Sequence, residues 1–235
     1  MRVENRCRRV YFFDDVEELL KKVDMDKLIA EKFAEYPEDN FWAEPIEEDF
    51  RNIMEYFGFS EVETCWDVSY SQGSGASFEG SWCADEMDYK ALKTYAPQDS
   101  ELLSIFKSLE NLIKITCKDC ECFDNGDCHK YGIKKYKTKE DCIKDMRLYS
   151  ASIVRCQYKR YCHEYTMCAE VFNENDEYLD DATTEDFLDI CRELALWFRD
   201  SLKNALEYET SKENIAEIIV NNEIEIEEEY LKKQE

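Results

Sequence analysis

The chain has 235 residues, 44% of them hydrophobic, with 13 Phe, 15 Tyr and 4 Trp, which is enough apolar mass to exclude disorder over its whole length. Its 55 acidic residues outweigh 30 basic ones, and the resulting net charge of −25 argues against direct binding to nucleic acid or anionic lipid. No apolar run reaches the roughly 18 residues that a membrane helix needs, and the basic N-terminal stretch has neither the apolar segment nor the cleavage site of a signal peptide, so a cytoplasmic protein with no membrane contact is expected.

Residues 14–35 read as one helix. Asp14 or Asp15 is placed to cap it, and Val16, Leu19, Leu20, Val23, Leu28 and Phe33 recur at helical spacing. Residues 47–57 form a second amphipathic helix with Phe50, Ile53, Met54 and Phe57 on one face, stopped by Gly58. The clearest strand signal follows. Trp66, Val68 and Tyr70 alternate with Asp67 and Ser69; beyond the SQGSG stretch, Ala76, Phe78, Gly80 and Trp82 alternate with polar neighbours. This is a hairpin over 65–83 with one buried face. Residues 86–95 and 99–114 read as helical. A second hairpin is expected over 148–172, with Tyr149, Ala151 and Ile153 on one strand and His163, Tyr165, Met167, Ala169 and Val171 on the return strand. The strongest helix covers 184–208, with a capping pair at Thr183 and Asp186. A capping box at Thr210 and Glu213 opens a short helix to about residue 220, and the acidic end adds an edge strand.

Twelve cysteines without an export signal point to reduced thiols or a metal site. Cys117, Cys120, Cys122, Cys128 and His129 supply enough soft ligands for a tetrahedral zinc, and Cys142, Cys156, Cys162 and Cys168 follow. A paired CxxC framework is absent, so zinc, a disulfide-linked loop and plain thiols all stay open, and no other cofactor is indicated. The SQGSG stretch lacks the Lys and the following helix of a phosphate loop. A hairpin turn accounts for its glycines, and Gln72, Gly73, Ser74 and Gly75 with His163 form a weaker ligand-binding candidate. His163 and Glu164 are neighbours on an expected strand, pointing to opposite faces, and so make a poor acid–base pair. With no HExxH or GxSxG, the expectation is a binding protein and not an enzyme. The acidic runs Glu174, Asp176, Glu177, Asp180, Asp181 and Glu225, Glu227, Glu228, Glu229 are the candidate partner-binding surface.

Three stretches, VSYSQGSGASFEGSW, KRYCHEYTM and LALWFRDSLKNALEYETSKENIAEIIVNNEIEIEE, resemble in order and spacing a family of uncharacterised proteins common in phages, prophages and plasmids. Its members carry an SQGDGA-type hairpin, an HEHSM-type strand and an LTSDEAVAE-type C-terminal helix. Ser74 stands where that family has Asp, Tyr165 where it has a second His, and the cysteine-rich stretch reads as an insertion. The resemblance implies a phage-type accessory protein acting in the bacterial cytoplasm and supplies no known activity.

Together these readings predict a single α+β domain over 1–235: a four-stranded antiparallel sheet of two hairpins, packed on the helix at 184–208 with the N-terminal helices nearby. A cysteine-rich insertion at 114–147 protrudes; it carries nine Lys/Arg against seven Asp/Glu and so differs in charge from the rest. The expected function is inhibition of a bacterial host protein, the favoured target being a nucleic-acid-handling defence complex. Sequestration of a small nucleotide-like ligand and antitoxin-like binding of a toxin are the alternatives, and self-association is left open.

Overall fold

The computed structural model describes residues 2–5, 9–37, 40–69, 74–113, 147–155 and 161–232. In chain order the strands are β1 (Arg2–Asn5), β2 (Arg9–Phe12), β3 (Phe59–Asp67), β4 (Gly75–Cys83), β5 (Ser150–Arg155), β6 (Met167–Phe172) and β7 (Ile226–Glu227). The α-helices are α1 (Val16–Lys22), α2 (Met25–Lys32), α3 (Glu44–Tyr56), α4 (Tyr89–Tyr95), α5 (Ser100–Ile113), α6 (Asp181–Glu209) and α7 (Lys212–Asn221). The fold is α+β, as the periodicities predict. The sequence reading treats 1–235 as one domain; the chain groups into two compact units, Met1–Ile46 with Leu202–Glu235, and Glu47–Ser201. The insertion at 114–147 lies, but for Arg147, outside the described residues.

In the first unit, β1, β2 and β7 form an antiparallel sheet in that order, with Val10 opposite Glu227 and Tyr11 opposite Ile226. Phe13, Leu19, Val23, Leu28, Ile215 and Ile219 fill its core together with Ile226 and Tyr230. The single helix expected at 14–35 is two helices. Val23 is extended and bridges to Leu231, and the Asp24 carboxylate accepts the Lys27 amide at 3.3 Å. Asp competes with helical backbone by bonding the amides ahead of it, so Asp24 ends one helix and caps the next. The cap of α7 is Ser211, whose hydroxyl accepts the Asn214 amide, and not Thr210, whose hydroxyl donates back to the Leu206 carbonyl.

In the second unit, β3, β4, β5 and β6 form the predicted four-stranded antiparallel sheet. Trp66 pairs with Ala76, Trp82 with Ala151, and Ala151 with Val171, which puts the expected apolar residues on one face. That face packs on α3 and α6. Phe50 stacks on Phe198 at 4.3 Å and meets Phe78 at 5.9 Å edge-on, while Phe187 lies 5.2 Å from Trp82. The Trp82 indole N–H is satisfied by the Phe57 carbonyl at 2.8 Å, so the ring is buried without leaving a donor unpaired. Burying each such ring stabilises the fold by roughly 1.5–3 kcal/mol. α6 begins three residues earlier than expected because Asp180, and not Thr183, is its cap: its carboxylate accepts the Thr183 amide at 2.8 Å.

Two departures shape the surface of this sheet. β3 starts at Phe59, and a bulge between Ser60 and Glu63 puts Glu61 at φ 55°. The return strand of the second hairpin starts only at Met167, because 164–166 form a 3-10 turn. The Tyr165 amide donates to His163 Nδ1, and the Thr166 amide and hydroxyl both donate to the His163 carbonyl at 2.8 and 2.7 Å. These local bonds take the groups that a ladder would need.

Candidate functional site

The glycine-rich turn and the His163 segment, far apart in sequence, meet at the first residue of β4. A Cβ built on Gly75 would lie 3.0 Å from the His163 Cα, 3.2 Å from the Cys162 carbonyl oxygen and 3.4 Å from the Glu164 Oε2. A side chain here would be tighter than ordinary contact, and the His163 backbone would have to give by a few tenths of an ångström. Cys162 is joined to Cys65, on the neighbouring strand β3, by a disulfide with a Cα–Cα distance of 5.2 Å and 97 residues between the partners. The expectation of reduced thiols is corrected for this pair, and Cys168 is disulfide-bonded as well. Cys83 and Cys191 are free thiols, and burial pushes the Cys191 thiol far up from its usual range, so it stays protonated and inert.

Since 164–166 do not form a strand, His163 and Glu164 do not point to opposite faces. The His163 Nδ1 lies 3.3 Å from Glu164 Oε2. The Tyr165 amide donates to the same nitrogen, also at 3.3 Å. Glu164 is 7% exposed, and its Oε2 has no hydrogen-bond donor among the described residues; the hydroxyl of Ser77, two residues along β4 from Gly75 and fully buried, has no partner among them either. Tyr165 projects outward. Its ring stacks on His163 with centroids 5.4 Å apart, and the Arg192 guanidinium lies 5.0 Å from its centre. Glu185, Asp189 and Arg192 share one face of α6, and Arg192 Nη1 reaches both carboxylates, at 2.5 and 2.6 Å. Burial works against the charged form of Arg192, but the two carboxylates outweigh it and raise the pKa.

Of the weaker ligand-binding candidates, Gly75 and His163 are thus in contact, Ser74 is half-buried beside them, and Gln72 and Gly73 lie outside the described residues. Cys117, Cys120, Cys122, Cys128 and His129 lie outside them too. Among the described residues, no group of three or more His, Cys, Asp or Glu is placed to hold a metal. Sequence reasoning set Glu164 aside as pointing away from His163, and it missed Ser77 and Arg192. The Arg192 contact crosses from α6 to the 3-10 turn, and no spacing signals it.

The two acidic runs belong to different units, and each stands by itself. In the second unit Glu174 meets Arg147 at 3.5 Å, Asp176 sits at φ 58° in a turn, Asp180 caps α6, and Asp181 opens it; Asp176, Glu177, Asp180 and Asp181 are exposed. In the first unit Glu228 meets Arg9 at 3.5 Å and Glu229 meets Lys27 at 3.7 Å, while Glu225, Glu228 and Glu229 stay exposed. A further acidic feature was not anticipated. An open groove of about 590 Å³ on the sheet is lined by Glu61, Val62, Glu63, Glu79, Ser81 and Ser152. Glu79 is tied to Arg155 at 2.9 Å, whereas Glu61 and Glu63 are exposed. The bulge that shapes this groove depends on Gly80, where a Cβ would come within 2.9 Å of the Ser60 carbonyl oxygen.

No described helix is long and apolar enough to cross a membrane. A family model described as a domain of unknown function (DUF8835) matches residues 42–212. No curated protein and no solved structure matches the chain.

Proposed function

The chain belongs to the DUF8835 family, and on that premise we propose that it acts without catalysis, as a phage-type accessory protein of the bacterial cytoplasm that binds and inhibits a host protein through its acidic surface. The observation that carries this reading is the net charge of −25. A surface so charged is suited to a basic groove built for phosphates, which on duplex DNA recur about every 1.7 Å along the axis. A nucleic-acid-handling defence complex is therefore the favoured target. The exposed carboxylates at 176–181, those at 225–229 and the groove with Glu61 and Glu63 are the surfaces that would engage it.

The test is capture of the partner from bacterial lysate, followed by association kinetics over a salt series. Exposed charges steer encounter, and salt screens them over about 8–10 Å. Changing Asp176, Glu177, Glu228 and Glu229 to Lys should slow association at least tenfold at low salt and flatten its salt dependence. Thermal stability should hardly change, because solvated charges contribute little to it. Wild-type association that ignores salt, or a charge-reversed variant that associates equally fast, would reject the reading.

A second reading, capture of a small nucleotide-like ligand at the glycine-rich turn, is favoured by the contact of Gly75 with His163. The side-chain group beside that contact is the Glu164 carboxyl, which suits a base or an amine better than a phosphate.

A further inference from the structure

We propose that the Cys65–Cys162 disulfide is a redox latch: it holds segment 161–166 down on the start of β4, and its reduction lets that segment lift and uncovers Gly75, Ser77 and Glu164. The inference does not rest on the acidic-surface reading.

Three observations carry it. The first is that, among the described residues, the disulfide and the Arg192–Tyr165 contact tie the segment down, with no strand ladder between it and β4. The pairing of β4 with β5 stops at Gly80 opposite Ile153, so the first half of β4 has no ladder partner on that side among the described residues. There the Phe78 amide donates to the Met167 sulfur at 3.5 Å, a weak acceptor in place of a carbonyl. The bonds that the segment makes within itself, from Thr166 to the His163 carbonyl and from Tyr165 to His163 Nδ1, would move with it.

The second observation is a force in the opposite direction. Seating the segment buries Glu164 to 7% exposure with its Oε2 lacking a donor among the described residues; the fully buried Ser77 hydroxyl on β4 lacks a partner among them too. A buried polar group without a partner is destabilising relative to the same group in water. Lifting the segment hydrates both groups.

The third is access. Cys65 and Cys162 are each only partly buried, so a reductant can reach the bond. A dithiol supplies the chemistry. Its thiolate attacks one sulfur, the Cys65–Cys162 bond breaks and a mixed disulfide forms; the second thiol of the reductant then displaces the protein sulfur. Two electrons and two protons pass to Cys65 and Cys162, and the reductant leaves as its own disulfide. In a reducing compartment the latch stands open; under oxidation it closes.

The experiment is hydrogen–deuterium exchange on the full chain, read by mass spectrometry. Four samples are compared: the oxidised protein, the same protein in dithiothreitol, the double variant Cys65→Ser/Cys162→Ser, and that double variant carrying Glu164→Gln. Opening should raise exchange at least tenfold at the Phe78 amide in both the reduced protein and the double variant, while the Thr166 amide, bonded within the segment, and the β5–β6 pairing stay protected. Glu164→Gln should slow the exchange again severalfold, since a neutral amide is less costly to bury than a carboxylate. Equal exchange in the oxidised, reduced and double-variant proteins overturns the latch. A change with dithiothreitol alone would credit the Cys168 bond and overturns it equally. Loss of the cooperative thermal transition in the double variant would make the bond a structural staple, again against the proposal. Exchange that stays fast with Glu164→Gln overturns Glu164 as the group that drives release.

Discussion

Gly58 ends α3 and turns the chain into β3, with φ at 85° and its amide on the Glu55 carbonyl. A Cβ there would come within 2.5 Å of the Cys83 carbonyl oxygen, a backbone atom with no freedom to retreat. Gly58→Ala should therefore cost about 1–3 kcal/mol from the backbone conformation, and more from the clash. A shift of the urea midpoint to lower concentration measures it, and an unchanged midpoint would contradict this turn. A second residue has a pH signature. The Tyr149 hydroxyl is hydrogen-bonded to Asp85 at 3.0 Å, and this bond with the carboxylate's charge pushes its pKa up to about 12. The folded value lies above the unfolded one of about 10. The contribution of the pair is thus complete below about pH 10 and is lost as pH rises through about 12. Tyr149→Phe should be less stable than wild type at pH 9, and the gap should close toward pH 12 in urea titrations. A gap independent of pH would remove the Asp85 bond as its cause.

At the scale of elements, the unit built on the four-stranded sheet depends on α6 lying against it. Leu194 is fully buried in that helix, with Phe187 and Phe198 on the same side. Leu194→Asp places a charge in that contact and should cost on the order of 3 kcal/mol or more. A thermal midpoint equal to wild type would refute the packing. α6 and both hairpin faces were legible because their periods, 3.6 and 2, run over many residues: Phe187 to Leu202 in one case, Ala76 to Trp82 in the other. Three things were not legible. The 14–35 period continues in phase across Val23–Asp24, so only the Asp24 cap and the long-range bridge to Leu231 reveal the break. The alternation across 162–172 hides a turn made by local His163 and Thr166 bonds. The pairing of Cys65 with Cys162 spans 97 residues, and spacing says nothing about it. The candidate site was half legible for the same reason. The glycines and His163 stand out one by one, whereas Glu164, Ser77 and Arg192 acquire meaning only from strands and helices brought together.

For the molecule as a whole, charge and topology act on different levels. The net charge of −25 governs what the surface attracts or repels and says little about the fold. The family match over residues 42–212 takes in the second unit in full and reaches into both sequence segments of the first. That first unit is discontinuous: β2 pairs with β7, and Leu19 and Leu28 share a core with Ile215 and Ile219. During synthesis, residues 10–33 therefore leave the ribosome long before their partners exist. At about 5–20 residues per second, some 10–40 s separate Val10 from Ile226. The unit that is begun first is completed last, and the intervening sheet has its strands and most of α6 while the early segment still exposes Phe12, Phe13, Leu19 and Leu28. That interval is when a chaperone would find this chain, and a nascent chain arrested near residue 205 should bind one more strongly than the finished protein does.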